Sequence, residues 1–485
     1  MNEAIRNLEP KEVWNHFADL NAVPRASKKE EKVIQFMKDF GAKLHLETLV
    51  DDVGNVIIKK PATKGMGDRK PIVMQSHLDM VHQKNKETHF NFDIQGIEMY
   101  IDGDWVKAKG TTLGADNGLG VATIMAILES KDIPHPALEA LFTIDEETGM
   151  TGAMGLQGGL LKGEILLNLD TEEDDEIGVG CAGGVDVTAT GSYKEVSPAI
   201  NCEGYKIVLK GLQGGHSGMD IHKGLGNANK LMNRVLYATA SFIEIGQIQG
   251  GSLRNAIPRE SEVIVAVSSE DRNDFKDAFE KIKEIILKEY HPIEPTLSIT
   301  LETIDPPTRV MSINDAQKFL HAIYGIHNGV FRMSPAIEGL VETSNNVAKI
   351  TVGKGNIKVE CLTRSSVESS KEDIAQGLKA VFNLAGYEVT FSGAYPGWAP
   401  NSNSAILKVM EGIYQKMNGE KAHVAACHAG LECGILGQHY PEMDMISFGP
   451  TIKGAHSPDE RASISSTQQF WKFVQEILKH IPKKI

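Results

Sequence analysis

Residues able to do chemistry gather at five places in the chain, each just after an apolar run or inside a glycine-rich turn. The first is Ser76-His77-Leu78-Asp79-Met80. Residues two apart in an extended segment point to one face. His77 and Asp79 can therefore face one site, where the carboxylate orients the imidazole and raises its basicity as a ligand. The second is Gly114-Ala115-Asp116-Asn117-Gly118, with Asp116 where a glycine-rich turn opens a helix, a position that an ordinary N-cap also takes. The third is Asp145-Glu146-Glu147, three adjacent acids that repel one another. A solvated loop relieves that repulsion, and so does a metal ion. Neighbouring side chains diverge, so Glu147 can ligate while Glu146 faces a metal-bound water. The fourth is Asp170, ending the apolar run before it, and the fifth is His456 in the Gly/Pro-rich loop 449–460. Each is ordinary alone. Together, two histidines and three carboxylates make the ligand set of two zinc ions sharing one bridging carboxylate. Imidazole with carboxylate suits zinc, cobalt or manganese better than magnesium or calcium.

The elements that must position these groups can be read from apolar periodicity. Helices are expected over 12–20, 29–40 and 118–129, and strands over 53–59, 71–74, 138–144 and 165–169. Short apolar strands that each end in acid are what a mixed α/β sheet gives when its strand ends carry a site. Glycines at 178–184 predict a hinge. Beyond it, strands over 206–210, 261–267, 298–303 and 358–363 alternate with long helices over 227–240, 274–289, 316–324 and 371–384. A second Gly/Pro cluster at 393–400 closes this region, and helix–strand alternation resumes over 404–417, 422–426, 430–436, 445–448 and 467–480. The expected organisation is a catalytic domain built from 1–184 and 397–485, with a second domain, 185–396, inserted between them.

Composition narrows the function. The chain has 485 residues, 41% of them hydrophobic and 24% charged, which is ordinary for a globular protein of two or three domains. A net charge of −14 argues against nucleic acid or an anionic membrane as partner. The apolar runs are shorter than a membrane span needs, and the start carries no signal peptide, so the cytoplasm is the expected location. Cys181, Cys202, Cys361, Cys427 and Cys433 form an odd set without CxxC pairing and are read as reduced core residues.

The ordered motifs HLDMV (77–81), GTTLGADNG (110–118), EETGM (146–150), NLDTEE (168–173), GCAGG (180–184), KGLQGGHSG (210–218), GLGNANKL (224–231), LRNAIPRE (253–260), GAYPGW (393–398), HAGLECG (428–434), PEMDMISFGP (441–450) and HSPDE (456–460) resemble those of the bacterial aminoacyl-histidine dipeptidases over essentially the whole chain. That family belongs to the co-catalytic zinc aminoacylase/carboxypeptidase superfamily. The resemblance implies an α/β, mixed-sheet zinc-peptidase catalytic domain with an inserted α+β lid domain. It implies two Zn2+ per subunit, with Co2+ or Mn2+ as substitutes. His77, Asp116 and Asp170 would hold one ion, Asp116 would bridge, and Glu147 and His456 would complete the other. Asp79 would orient His77, Glu146 would be the general base, and the Asp116–Asn117 peptide would be cis. His216 would polarise the scissile carbonyl, Asn255 and Arg364 would bind substrate, and Gly430 would offer backbone contacts, with His428 beside it structural. The implied substrate is a small peptide with a free amino end, Xaa-His including β-alanyl-histidine. A broad, Xaa-Gly or γ-glutamyl dipeptidase, an N-acyl amino acid deacylase and a non-catalytic peptide-binding protein are the other readings. Smaller relatives dimerise through the lid, which implies either a homodimer through the inserted domain or a lid long enough to supply that contact within one chain. Asp145 departs from the family pattern, and either raises the pKa of Glu146 by repulsion or is simply solvated.

Overall fold

The computed structural model describes residues 2–335, 337–401 and 403–484. The chain divides into two compact units: Met1–Gly180 with Trp398–Ala426 and Leu431–Ile485, and Cys181–Gly397 with Cys427–Gly430.

Among the described residues, the first unit is built on an eight-stranded sheet in the order Glu47–Val50, Val56–Lys60, Leu138–Thr143, Ile72–His77, Ile165–Asn168, Asp444–Ser447, Glu176–Cys181, His423–Cys427. The four strands from Leu138–Thr143 to Asp444–Ser447 run parallel. Leu138–Thr143, Ile72–His77 and Ile165–Asn168 are buried at every residue, as strands covered on both faces must be. The helix Ala115–Glu129 is apolar all round and buried along almost its whole length, so hydrophobic burial holds it rather than one amphipathic stripe. Lys11–Leu20 and Ile464–Lys479 instead bury one face, with Trp14 and Phe17 or Phe470, Phe473 and Val474 turned inward. Phe448 meets Phe470 and Phe473 at ring centroid distances of 5.5 and 5.7 Å.

Among the described residues, the second unit carries a nine-stranded antiparallel sheet. Its helices Ala228–Ala238, Arg272–Tyr290, Ile313–Gly325 and Glu368–Leu384 bury their apolar stripes, among them Phe275, Phe279, Phe319 and Phe382, in one hydrophobic core with the strand residues.

Two expectations change. Residues 178–184, expected as a hinge, lie largely in the strands Glu176–Cys181 and Gly183–Ser192 rather than in a loop, and the boundary between the two units falls among them, after Gly180. Their glycines serve close backbone approach: a Cβ at Gly183 would stand 2.4 Å from the amide nitrogen of Gly397. The strand Val341–Gly353 was not expected, because its first half, Val341-Glu342-Thr343-Ser344-Asn345-Asn346, reads as polar although each of these residues is buried. Side-chain hydrogen bonds satisfy it. Asn346 donates to the carbonyls of Arg254 and Ala256 at 3.2 and 2.8 Å, and Asn345 to that of His327 at 2.7 Å.

Candidate metal centre

The C-terminal ends of neighbouring parallel strands converge, and loops beyond them can share one site. His77 is the last residue of Ile72–His77, Asp145-Glu146-Glu147 follow Leu138–Thr143, and Asp170 follows Ile165–Asn168. Asp116 enters from the start of Ala115–Glu129, where the backbone is not helical at Asp116 and Asn117, and the Asp116–Asn117 peptide is cis. His456 enters from the loop after Ile452–Lys453 with a φ of 63°.

The five expected ligands form two sets that share Asp116: His77, Asp116 and Asp170, and Asp116, Glu147 and His456. Within each set, one ligand atom from every residue lies within 4.8 Å of the others. His77 Nε2 is 3.2 Å from Asp116 Oδ1 and 3.5 Å from Asp170 Oδ1. His456 Nε2 is 3.2 Å from Asp116 Oδ2 and 2.9 Å from Glu147 Oε2. Each oxygen of Asp116 thus faces a different histidine. His77, Glu146 and Glu147 form a further set within the same limit.

Asp79 lies behind this arrangement, fully buried. His77 Nδ1 is 3.2 Å from the Asp79 carbonyl and 3.4 Å from its Oδ1, which fixes Nδ1 as a donor and points Nε2 toward Asp116 and Asp170. The same carboxylate accepts the amides of Glu146 and Glu147 at 3.1 and 3.2 Å and the Ser27 hydroxyl at 2.8 Å. One buried anion therefore sets both His77 and the acidic loop.

The electrostatics fit a pair of cations. Burial raises Glu147 and Asp170 above the ordinary carboxylate range, with Asp116 adding to each. Burial likewise pushes Glu146 well above it, with Asp170, Glu432 and Glu147 adding repulsion against the opposing pull of His77. Burial works the same way on Asp116, but hydrogen bonds from His456 and His77 outweigh it and hold this carboxylate low. His456 is pushed up to about 11 by hydrogen bonds to Asp116 and Glu147. Burial presses His77 down, yet Asp170, Asp116 and Asp79 outweigh it and keep the ring well above its usual value. The histidines are thus drawn toward imidazolium by a surplus of negative charge, and divalent cations would neutralise that surplus directly. Glu147 Oε1 is buried and accepts no hydrogen bond among the described residues, a second sign of a missing electrophile. The residues fit a two-metal centre.

Several supporting residues escaped the sequence reading. Glu460, 2% exposed, accepts the amides of Leu113, Gly114, Ala115 and Asp116 at 2.7, 2.9, 2.8 and 3.3 Å. Its place in HSPDE, four residues after His456, was the available signal. Glu172 is pushed up to about 8 by burial and then by Asp116 and Asp170; its place two residues after Asp170 in the motif NLDTEE was its signal. Glu432 is buried and pushed up to about 8 by desolvation. It accepts Gln75 at 2.7 Å and Thr143 at 2.6 Å, while Asn168 donates to Gln75 and Ser447 to Asn168, each at 2.5 Å. This polar belt ties the parallel strands beneath the ligands, and only the fold brings its members together. Asp145 is neither solvated nor pressed against Glu146 as its leading perturber. It is 2% exposed, and its carboxylate takes the hydroxyls of Thr148 and Thr151, closing the loop locally.

In the second unit, His216 lies in the short strand Gly215–His216, paired with Ala256–Ile257. Its Nδ1 accepts the amides of Gly218 and Met219 at 3.2 and 3.0 Å, so Nε2 carries the hydrogen. Burial, with Arg364 adding, lowers its pKa and keeps the ring neutral. Arg364 is 5% exposed and donates to the Tyr395 hydroxyl at 2.7 Å, while its Nε donates to no acceptor among the described residues. Asn255 is exposed, and its carbonyl accepts the Ser217 amide at 2.8 Å. Gly430 ends the segment Cys427–Gly430, in which His428 bonds the Ser344 hydroxyl at 2.8 Å, a structural contact. A Cβ on Gly218 would stand 2.0 Å from the His428 carbonyl oxygen and 3.2 Å from Arg364 Nε.

Comparison with known proteins identifies the family of the chain. The chain is 42% identical over 482 residues to the cytosol non-specific dipeptidase of Escherichia coli (strain K12), covering 99% of each. The crystal structure of aminoacylhistidine dipeptidase from Vibrio alginolyticus matches with a TM-score of 0.95 at 44% identity, over 100% of both chains. The aminopeptidase PepT from Bacillus cereus matches with a TM-score of 0.56 at 16% identity, over 98% of this chain and 99% of that one, a likeness of fold alone. Residues 73–480 match the profile of peptidase family M20/M25/M40, and that stretch holds every residue of the two ligand sets, so the chain belongs to this family.

Proposed function

We propose that this chain is a metal-dependent dipeptidase acting on dipeptides with a free amino end, Xaa-His and β-alanyl-histidine among them. The observation that carries the reading is the sharing of Asp116 by two ligand sets, with Glu146 in a third set beside them. The names of the two relatives at 42% and 44% identity, a cytosol non-specific dipeptidase and an aminoacylhistidine dipeptidase, support the substrate class and a cytoplasmic setting. His77, Asp116 and Asp170 would hold one ion and Asp116, Glu147 and His456 the other, with zinc the metal that this donor set favours. Bound there, the pair would polarise the scissile carbonyl and acidify water.

The chain's own residues supply the rest. Glu146 takes the proton of the attacking water and returns it to the leaving amine. Asp79 holds His77 in the tautomer that leaves Nε2 free to ligate. His216, neutral and protonated on Nε2, donates to the carbonyl oxygen as negative charge develops there. Arg364, with an unused Nε donor, pairs with the terminal carboxylate of the peptide, and Asn255 and Gly430 contact its backbone.

The test is hydrolysis of a panel of Xaa-His dipeptides, tripeptides and acetyl-amino acids by protein first stripped with a chelator, then given zinc, cobalt or manganese. Metal-restored cleavage confined largely to dipeptides is expected. Release of acetate from acetyl-amino acids instead would move the chain to the deacylases, and no turnover of either class would leave a peptide-binding protein.

A further inference from the structure

The carboxylate of Glu460 does something that no ligand assignment requires. Its Oε2 accepts the amides of Leu113 and Gly114, and its Oε1 those of Ala115 and Asp116. Four consecutive N–H groups at the opening of a helix therefore converge on one buried anion. From the same segment, the Gly114 carbonyl is held by Arg25, whose Nη2 donates to it at 2.5 Å and to Asn21 Oδ1 at 3.1 Å. Arg25 Nη1 donates to the carbonyls of Leu78 and Asp79, both at 3.1 Å. The segment 113–116 is thus gripped through its amides by an anion and through a carbonyl by a fully buried cation. There is no slack: Gly114 has a φ of 70°, and a Cβ there would stand 2.5 Å from Arg25 Nη2 and 2.7 Å from Met80 Sδ.

We propose that Glu460 is a positioning residue that sets the shared ligand Asp116 and docks the His456 loop against it, so that the ligand set Asp116, Glu147 and His456 is complete only when Glu460 holds residues 113–116. The inference rests on the reading of Asp116 as the ligand common to two metals. His456 and Glu460 share one loop, and His456 Nε2 already faces Asp116 Oδ2 at 3.2 Å. Docking through Glu460 converts the arrival of that loop into a fixed distance between two ligands that lie 340 residues apart. A carboxylate suits this task because it accepts on both oxygens. In a carboxamide, one of those oxygens becomes an NH2 that faces N–H groups.

The test is metal titration of the full chain against a chromophoric chelator, with thermal melting of the metal-free protein as a second readout. Wild type should take up two equivalents. Glu460→Gln should bind one of them roughly 10–100-fold more weakly, because both Asp116 and the His456 loop are released there, and the other by a clearly smaller factor through Asp116 alone, with the metal-free melting temperature little changed. Glu460→Asp, which keeps the charge and loses reach, should show a smaller loss in the same equivalent. Two unchanged equivalents in Glu460→Gln would overturn the proposal. So would an equal weakening of both that tracks a lower metal-free melting temperature, since that is what a merely structural cap would give. If Glu460→Gln does not fold, unchanged affinities in Glu460→Asp overturn it equally. Fewer than two equivalents in wild type would overturn the shared-ligand reading itself, a result distinct from either.

Discussion

Burial acts in opposite directions on Glu146 and His216, and both directions suit the roles proposed for them in hydrolysis. It raises the carboxyl well above the ordinary carboxylate range, which favours a group that must accept a proton, and it lowers the imidazole, whose hydrogen lies on Nε2 because Nδ1 accepts backbone amides. Replacing Glu146 with Ala should lower kcat by about 10²- to 10⁴-fold while both metals remain bound. Near-normal turnover in a metal-loaded variant would remove Glu146 from the role of base. His428 gives a prediction about stability instead. Burial first, and then Arg364 and His216, lower it to about 3, against an ordinary value of 6.5. Between those values the unfolded chain binds a proton that the folded chain does not, so stability falls as the pH drops from 6.5 toward 3, at roughly 1.4 kcal/mol per unit from this group. In His428→Gln, urea unfolding followed between pH 7 and 5 should show a shallower loss than in wild type; parallel curves would contradict the assignment. The residues proposed as metal ligands could be picked out in the sequence because their chemistry is carried by residue type. Glu460, Glu432 and Arg25 stayed hidden because a Glu or Arg in a motif looks the same whether it meets water or four buried amides.

At the scale of elements, the decisive joint is where Ala115–Glu129 packs against the strand ends. Gly120 permits a close approach there that no side chain would allow: a Cβ would stand 2.0 Å from Asn117 Oδ1, 2.5 Å from Ser76 Oγ and 2.7 Å from the Leu169 carbonyl oxygen. Gly120→Ala should therefore cost about 1–3 kcal/mol, measured as a lower urea midpoint at unchanged slope. Because Asn117 donates to Asp170, the variant should also bind metal more weakly, which titration would detect. The helix itself was legible from its unbroken apolar character, although its first turn was not. Asp116 and Asn117 depart from helical geometry, and periodicity carries no signal for a kink set by contacts with distant residues. The same limit hid Val341–Gly353, where buried amide and hydroxyl side chains imitate a loop until their partners are known.

For the whole molecule, the metal centre links folding to ligand binding, because its donors come from segments far apart in the chain. A ligand that binds only the folded state stabilises it, by about 2.7 kcal/mol at a hundredfold excess over Kd. Stripping the metals should therefore lower the melting temperature as well as abolish turnover, and zinc should restore both; a melting curve indifferent to chelation would contradict the shared centre. The types and order of the proposed ligands, His77, Asp116, Glu147, Asp170 and His456, and of the proposed base Glu146 are set by the sequence alone, and with them the class of chemistry, because imidazole and carboxylate have intrinsic preferences for metal. The same holds for most strands and helices, whose apolar periods are local. Tertiary structure alone decided that each oxygen of Asp116 faces a different histidine, that Asp79 governs both His77 and the acidic loop, and that Asp145 is sealed by threonine hydroxyls rather than left to solvent. Distances and burial arise only when strands distant in sequence align side by side, and these quantities turn a set of acids into a site.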